Sequence, residues 1–233
     1  GVKSSVDDAA GVGISERMRA QARGTSMARQ NVENGISALQ TADSWMQRVN
    51  DMLSRMSELS IEAQDGTMSA QDKTNINAEV QALGAEIKEV TDVRAKFNGT
   101  NLLDGFSKTT QVGADSGQTI TVAVDSLSAL GTLVSGLDVS NAAAVAMTTI
   151  ASSIDVVAKA RASAGGLQSR LDHTRAGLLT YEDNIRAAES KIRDIDMARE
   201  SSEMMKQNIL SQVGTSILAQ ANQQTQSVLK LVG

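Results

Sequence analysis

Apolar residues recur every three or four positions along most of this 233-residue chain, a spacing that is typical of α-helices. In the first long block, from about 8 to 64, a seven-residue repeat becomes readable. Its two interleaved sets are Val32, Leu39, Met46 and Leu53, and Gly35, Ala42, Val49, Met56 and Ala63. These sets occupy the a and d positions of a heptad, through which helices pack lengthwise. We therefore predict one long helix over this block.

A second helix is predicted soon after the first one ends. Asp65-Gly66-Thr67 interrupts the repeat, and glycine is a common residue just beyond the end of a helix. Ser69 is a suitable N-cap for a new helix. The apolar positions that follow are spaced alternately by four and three residues: Ile76, Val80, Leu83, Ile87 and Val90. Because the connection is short, the two helices should form an antiparallel hairpin.

The pattern changes between about 97 and 137. Phe97-Asn98-Gly99-Thr100-Asn101 has the residues of a tight turn, and Thr119–Val124 alternates between polar and apolar positions with a period of two. Gly113, Ser116 and Gly117 precede that alternating stretch. We predict one or two small β-hairpins here.

A third helix is predicted from near Asn141 to beyond Ile195. Its repeat comprises Ile150, Val157, Ala164, Leu171, Leu178, Ile185 and Ile192, with a companion set of Ser153, Ala160, Leu167, Thr174, Tyr181, Ala188 and Ile195. The repeat stays in phase across Gly165-Gly166, so one continuous helix is expected. The C-terminal block has Met205, Ile209, Val213, Ile217 and Ala221 at every fourth position, which predicts an amphipathic helix with no obvious partner in the chain.

These elements predict a mainly α fold, a long antiparallel helical rod packed like a coiled coil. A small β-hairpin region lies at its far end, and a C-terminal amphipathic helix follows it. The predicted division is 1–106 for the N-terminal part of the rod, 107–140 for the short β and loop region, 141–199 for the long C-terminal rod helix and 200–233 for the terminal helix.

Composition narrows the possible functions. Aromatic residues make up only 2% of the chain, which suits thin helical seams better than a thick core, and proline is absent. The absence of cysteine excludes disulfides and thiolate chemistry. The net charge is −5 and no basic face is visible, so we expect no nucleic-acid partner. No signal peptide is recognisable, and we expect no membrane span because no apolar run approaches 18 residues.

Candidate catalytic groups are few. His173 is the only histidine, and its charged neighbours indicate an exposed helix face. The acid pairs Glu182-Asp183 and Asp194/Asp196 are interpreted as solvated, because residues one or two apart on a helix point in different directions. No phosphate-binding loop or Ser-His-acid set is supported by a motif. We predict no catalytic, cofactor-binding or metal site, and no enzyme activity.

Several motifs resemble those of one known family, the bacterial flagellins. Near the start they are Asp7-Asp8-Ala9-Ala10-Gly11, Arg29-Gln30-Asn31, Asn34-Gly35-Ile36-Ser37, Glu58-Leu59-Ser60-Ile61 and Phe97-Asn98-Gly99. Near the end they are Arg170-Leu171-Asp172-His173-Thr174, Ile192-Arg193-Asp194-Ile195-Asp196-Met197-Ala198 and Leu218-Ala219-Gln220-Ala221-Asn222-Gln223. The likeness covers about 1–106 and 141–233 in the same order as in the family.

The resemblance implies a secreted structural subunit of the extracellular flagellar filament, which serves swimming motility. In the family, subunits leave through a type III export channel, and the terminal helices pair as a coiled coil that lines the filament. The implied partners are other flagellin subunits, an export chaperone, and the flagellar cap and junction proteins. The alternatives are a hook–filament junction protein or another secreted coiled-coil protein.

The start of the chain and the middle stretch add two further expectations. Only six residues precede Asp7-Asp8, where flagellins have a long helix, so we expect that helix to have been removed from this chain. The stretch 107–140 is short, which indicates a minimal flagellin with little outer domain.

The resemblance also implies recognition sites. Arg55, Leu59 and Glu79 match positions at which some flagellins contact the animal Toll-like receptor for flagellin, although the residues alone indicate a solvated edge, and in filaments this face can be buried between subunits. Contacts with the chaperone and with neighbouring core helices are implied for Ile209, Val213, Ile217, Val228, Leu229 and Leu231. The apolar tail around Val228 also resembles the segment sensed by cytosolic inflammasome receptors.

Overall fold

The computed structural model describes residues 9–193 and 197–232, with side chains described for 10–193 and 201–222. The contacts divide the chain into two units, one over Gln21–Asp183 and the other comprising the flanking residues at both ends. The Asp7-Asp8 motif and the Asp194/Asp196 pair lie outside the described residues, as do the side chains of Val228, Leu229 and Leu231.

Long helices dominate the fold, as the apolar periodicity predicts. The helices are α1 (Ala9–Ala63), α2 (Ala70–Glu89), α3 (Ser128–Ser135), α4 (Val139–Arg193) and α5 (Met197–Val232). The strands are β1 (Lys96–Phe97), β2 (Thr100–Asn101), β3 (Ser107–Gln111) and β4 (Thr119–Ala123). The prediction of a mainly α fold with small antiparallel hairpins is confirmed.

The core of the Gln21–Asp183 unit is built on the predicted heptad face of α1. Its positions Val32, Leu39, Met46 and Leu53 are at most 1% exposed, and Ile150, Val157 and Leu171 of α4 are fully buried. A polar contact accompanies this seam, since the Arg161 guanidinium of α4 donates to the Asp43 carboxylate of α1 over 2.7 Å. The predicted a and d positions therefore form the helix–helix contact.

The start of α2 confirms the capping signal at Ser69. The Ser69 hydroxyl accepts a hydrogen bond from the Asp72 amide, and the Asp72 carboxylate accepts one from the Ser69 amide. This capping box satisfies two amides that would otherwise lack partners at a helix start. Bonds from the Ser69 hydroxyl and amide hold the pKa of Asp72 below its usual value.

Two antiparallel hairpins follow α2. The turn between β1 and β2 has positive φ at Asn98 (47°) and Gly99 (77°), as a two-residue type I′ hairpin turn requires. In the second hairpin, β3 pairs with β4 from Ser107↔Ala123 to Gln111↔Thr119. Ile120 and Val122 are buried while their neighbours are exposed, so the predicted alternation of Thr119–Val124 is confirmed.

Two helical features were not predicted. α3 lies inside the stretch 107–140 that was expected to hold only β and loop structure, because eight residues are too few to show a helical period. A π-helical turn, Val90–Arg94, extends α2, and its Thr91 carbonyl accepts a hydrogen bond of 2.7 Å from the Asn101 side chain.

α3 packs closely on α2 because glycine occupies the contact on both sides. A Cβ on Gly84 would lie 2.7 Å from the Val134 carbonyl oxygen, and one on Gly131 would lie 3.0 Å from the Lys88 Cα. By contrast, Gly165-Gly166 sits within α4 with nothing within 4 Å, and the helix continues through the pair as predicted.

In the flanking unit, polar contacts link the two helices over 10–20 and 184–193. The carboxylate of Glu189 accepts bonds from the buried Ser15 hydroxyl (3.1 Å) and from Arg19 (3.0 Å). Arg193 donates to Glu16 over 2.9 Å. The hydrogen bonds and ion pairs between these two helices contrast with the apolar heptad contact in the Gln21–Asp183 unit.

Alanine substitutions at two glycines should shift stability in opposite directions. Gly84→Ala should lower the free energy of unfolding by about 1–3 kcal/mol, because the new methyl group overlaps the backbone of α3. Gly165→Ala should raise it by about 0.5–1 kcal/mol, because alanine favours a helix and meets no neighbour. Urea denaturation would measure both; an unchanged or higher stability for Gly84→Ala would refute the close packing.

Candidate assembly and recognition surfaces

An apolar face of α5 is exposed to solvent. This face is the stripe formed by Met205, Ile209, Val213 and Ile217 at successive fourth positions, each 48–62% exposed. Met204, Leu210 and Leu218 are further exposed apolar side chains of α5. No charged residue occurs between Lys206 and Lys230. Exposed apolar patches of this kind mark interaction sites, since removing apolar surface from water gains about 25 cal/mol per Å².

The terminal site residues implied by the resemblance can be placed only in part. Ile209, Val213 and Ile217 lie on this exposed face at consecutive fourth positions. Val228, Leu229 and Leu231 fall within the backbone span of α5, but their side chains lie outside the described residues. The first three are therefore available to a partner.

Arg55 and Glu79 form an exposed cluster with Glu58 that joins α1 to α2. The Arg55 Nε donates to Glu79 over 3.0 Å, and Nη1 donates to Glu58 over 3.1 Å. The bond to Glu79 is the main reason that the pKa of Arg55 is raised. Exposed ion pairs contribute little to stability, so the cluster is more important as a fixed pattern of charge on the surface.

Leu59 does not belong to that surface. Its side chain is 2% exposed and packs in the hydrophobic core, so its assignment as a contact residue for a receptor is corrected to a core residue. Leu59 lies between the predicted heptad positions Met56 and Ala63, which are also buried. The buried face of α1 is therefore wider near its C-terminal end than the heptad positions alone. A helix that faces a globular core buries a broader stripe than the two positions of a coiled-coil seam.

A buried carboxylate beside a half-buried arginine was not predicted from the sequence. Glu182, interpreted as solvated, is 5% exposed, and its Oε2 lies 3.7 Å from the Arg29 Nε of α1. Tyr181, predicted in the seam, is instead 43% exposed and accepts a bond from Gln21. An α-helix drifts by about 20° per heptad against a strict seven-residue repeat, which moves the buried position from 181 to 182.

Thr25 is a second buried polar residue in the Gln21–Asp183 unit. Thr25 is fully buried, and its Oγ1 has no hydrogen-bond partner among the described residues. Thr25 lies one turn before Arg29 on α1. Its burial could not be predicted from the apolar pattern, because threonine occurs on either face of a helix.

Sites for chemistry are not apparent in the described part of the chain. Within it, no group of three or more His, Cys, Asp or Glu side chains is placed to hold a metal ion. His173 is exposed on α4.

α4 contains a more apolar stretch than the sequence analysis predicted. α4 contains an 18-residue window with a mean hydropathy of 1.4, of which 22% is buried. By length and composition alone it could cross a membrane, which is weak evidence because core helices pass the same test. Buried core residues such as Ile150 and Val157 account for part of that hydropathy.

Comparison with known families gives matches at both ends of the chain. Residues 1–108 match the bacterial flagellin N-terminal helical region, and residues 147–232 match the bacterial flagellin C-terminal helical region. The chain belongs to the bacterial flagellin family. Flagellins are structural subunits of the flagellar filament, and this chain is therefore a structural protein of the filament.

Curated relatives match over nearly the whole chain. A flagellin of Halalkalibacterium halodurans is 41% identical, covering 97% of this chain and 85% of the relative. Flagellin FlaB2 of Treponema pallidum is 39% identical, covering 99% and 87% respectively. A flagellin of Bacillus subtilis is 40% identical, covering 97% and 86%.

Solved structures agree with this fold. Bacillus cereus flagellin superposes with a TM-score of 0.57 at 26% identity, covering 64% of this chain and 88% of that one. A putative flagellar hook-associated protein of Vibrio parahaemolyticus gives a TM-score of 0.68, covering 81% of this chain and 100% of that one. Its identity is only 13%, so that likeness concerns the fold alone.

Removing the cation beside the buried Glu182 should destabilise this flagellin. Arg29→Met should lower the free energy of unfolding by about 1–3 kcal/mol, because the buried Glu182 carboxylate loses its nearby cation and the ion pair of Arg29 with Glu33 is lost as well. The matched control Arg175→Met breaks an exposed pair with Asp172 and should change stability by less than about 0.5 kcal/mol. Equal effects of the two substitutions in thermal or urea unfolding would contradict a stabilising role of Arg29 toward the buried Glu182 carboxylate.

Proposed function

We propose that this flagellin assembles with further copies of itself into an extracellular filament for swimming motility, and that the exposed face of α5 provides a main contact. The observation that carries the proposal is the row of exposed apolar side chains on α5 in a chain of the flagellin family. The hook–filament junction protein remains the alternative within flagellar assemblies.

The chemistry of the α5 face favours a helical partner. Ile209, Val213 and Ile217 form a stripe at four-residue spacing, which fits against the apolar stripe of another helix. The stretch between Lys206 and Lys230 has no charge that would have to be desolvated on contact. Terminal helices of neighbouring copies supply such partners.

The same face suits the partners needed before and after assembly. An export chaperone that covers Ile209, Val213 and Ile217 would keep the apolar stripe from associating before secretion. Cap and junction proteins would meet the copies at the two ends of the filament. These partners, the extracellular location and the lack of enzyme activity are all expected from the structural role.

A second proposed function is recognition by the animal Toll-like receptor for flagellin, through Arg55 and Glu79. The supporting observation is that Arg55 is half exposed and fixed in orientation by two carboxylates. A fixed arginine loses less side-chain freedom on binding than a mobile one, and arginine is frequent among the residues that dominate binding energy. Leu59 contributes to this surface only by supporting α1 from the core.

A charge on the α5 stripe should impair assembly. Ile209→Asp should raise the critical concentration for polymerisation at least about tenfold, which corresponds to about 1.4 kcal/mol, because a carboxylate would enter an apolar contact. Ser211→Asp adds the same charge elsewhere on α5 and should have a much smaller effect. Sedimentation of polymer at increasing concentrations measures both; equal critical concentrations for Ile209→Asp and the unmodified chain would exclude this face from the contact.

Loss of the Arg55 side chain should weaken receptor binding. Arg55→Ala should raise the Kd for the soluble receptor ectodomain at least about tenfold, as expected for a central arginine of an interface. The control Arg94→Ala removes an arginine of the same 49% exposure that is also paired with a carboxylate. If both variants bound as the unmodified chain does, the receptor proposal would fail.

A further inference from the structure

Methionine side chains differ widely in their exposure to solvent. Among the side chains that the structure describes, three methionines are at least half exposed: Met27 (57%), Met204 (62%) and Met205 (62%). Met46 and Met56 are fully buried in the core. A thioether sulfur that is exposed to water is also accessible to small dissolved oxidants, which convert methionine to its sulfoxide. Exposure therefore separates the methionines that such an oxidant can reach from those that the core protects.

The chain has no other kind of sulfur for an oxidant to attack. It contains no cysteine, the residue whose thiolate ordinarily reacts with peroxides. The exposed methionines therefore carry the accessible sulfur atoms of the described part of this flagellin.

Met205 is the first residue of the exposed apolar stripe on α5. Ile209 follows it by one helical turn, and Val213 and Ile217 continue the same spacing. Residues four positions apart are neighbours on a helix surface. The thioether of Met205 is thus part of the surface through which the proposed assembly takes place.

Met204 has the same exposure but lies on a different side of α5. Successive residues of an α-helix are about 100° apart around its axis. The residues one turn further along from Met204 are Gln207 and Asn208, which are polar. The two adjacent methionines therefore differ in their position relative to the stripe and not in their access to solvent.

Oxidation by hydrogen peroxide would make the Met205 side chain polar. The sulfur donates an electron pair to one peroxide oxygen, so that an S–O bond forms and the O–O bond breaks. The leaving hydroxide takes up the proton of the transferred hydroxyl group and departs as water; the sulfur is oxidised by two electrons and the peroxide is reduced by two. The sulfoxide oxygen is a hydrogen-bond acceptor, and burying it against an apolar helix would leave it without a donor.

We propose that Met205 is an oxidation site through which peroxide prevents a free subunit from joining the filament. The inference rests on the proposed assembly function and assigns a form of regulation to its α5 contact. In the free subunit the sulfur is open to solvent, whereas a neighbouring helix covers it in the assembled state. Peroxide therefore acts on subunits before they assemble. A methionine sulfoxide reductase reverses the effect, because it returns the sulfoxide to the thioether.

Leucine substitutions separate the two neighbouring methionines. Met205→Leu and Met204→Leu each keep an apolar side chain of similar volume that peroxide does not oxidise. The critical concentration for polymerisation is measured by sedimentation before and after treatment with hydrogen peroxide. It should rise at least about fivefold for the unmodified chain and for Met204→Leu, and less than about twofold for Met205→Leu. Met27 is present in all three chains, so its oxidation cannot produce the difference.

Peptide mass spectrometry assigns the modification to one residue. Trypsin cuts after Arg199 and Lys206, so each leucine variant yields a peptide 200–206 with a single methionine. The peroxide dose is set so that Met46 and Met56 stay reduced, and circular dichroism checks that the helices are retained. Treatment with a methionine sulfoxide reductase and a dithiol should return the critical concentration to its starting value. Recovery of the thioether without recovery of assembly would contradict the inference.

Protection in the polymer provides an independent test. In the Met204→Leu chain, the Met205 sulfur of assembled copies should be oxidised at least about tenfold more slowly than that of free subunits at the same peroxide concentration. The reason is that a neighbouring helix excludes solvent from the stripe. Equal rates in the two states would place Met205 outside the contact and overturn the inference.

The two proposals fail in distinguishable ways. If the chains polymerise but Met205→Leu and Met204→Leu respond equally to peroxide, or Met204→Leu does not respond, only the oxidation inference is wrong. If the unmodified chain makes no polymer under any condition, the filament proposal is wrong, and the oxidation inference fails with it.

Discussion

The fold depends on burial of one continuous face of α1. Val32, Leu39, Met46 and Leu53 are excluded from water almost completely, and α4 supplies the matching residues Ile150, Val157 and Leu171 within the same unit. Phe106 is the one aromatic residue among the buried core residues that the structure describes; the others are almost all aliphatic or methionine. Many side chains of the same long helices are exposed, so the elements that stabilise the chain also provide its surfaces for other molecules.

Periodicity predicted the elements that are long enough to repeat. The apolar pattern repeats at least twice in α1, α2 and α4, and most of the predicted positions through Leu171 are buried or partly buried. α3 has too few residues for a period, and its packing depends on glycines that the sequence does not mark as contacts. Glu182 became buried because small angular differences accumulate along a helix, an effect that a strict seven-residue template ignores.

The surfaces were predictable to different extents. The α5 face follows from spacing alone, since Ile209, Val213 and Ile217 lie at every fourth position. Arg55 and Glu79 were identified only through resemblance to a family, and the same resemblance placed Leu59 on a surface from which it is absent. An open groove lined by α1, the first hairpin and β3 could not be predicted, because its lining residues come together only in the folded structure.

The absence of charge along α5 between Lys206 and Lys230 determines how association through this face responds to its surroundings. Apolar contacts weaken on cooling, because the hydrophobic driving force near room temperature is largely entropic. Screening by simple salts has little to act on there, while excluded salts such as sulfate strengthen apolar burial. Warmth and sulfate should therefore favour the assembled state, and cold should release subunits.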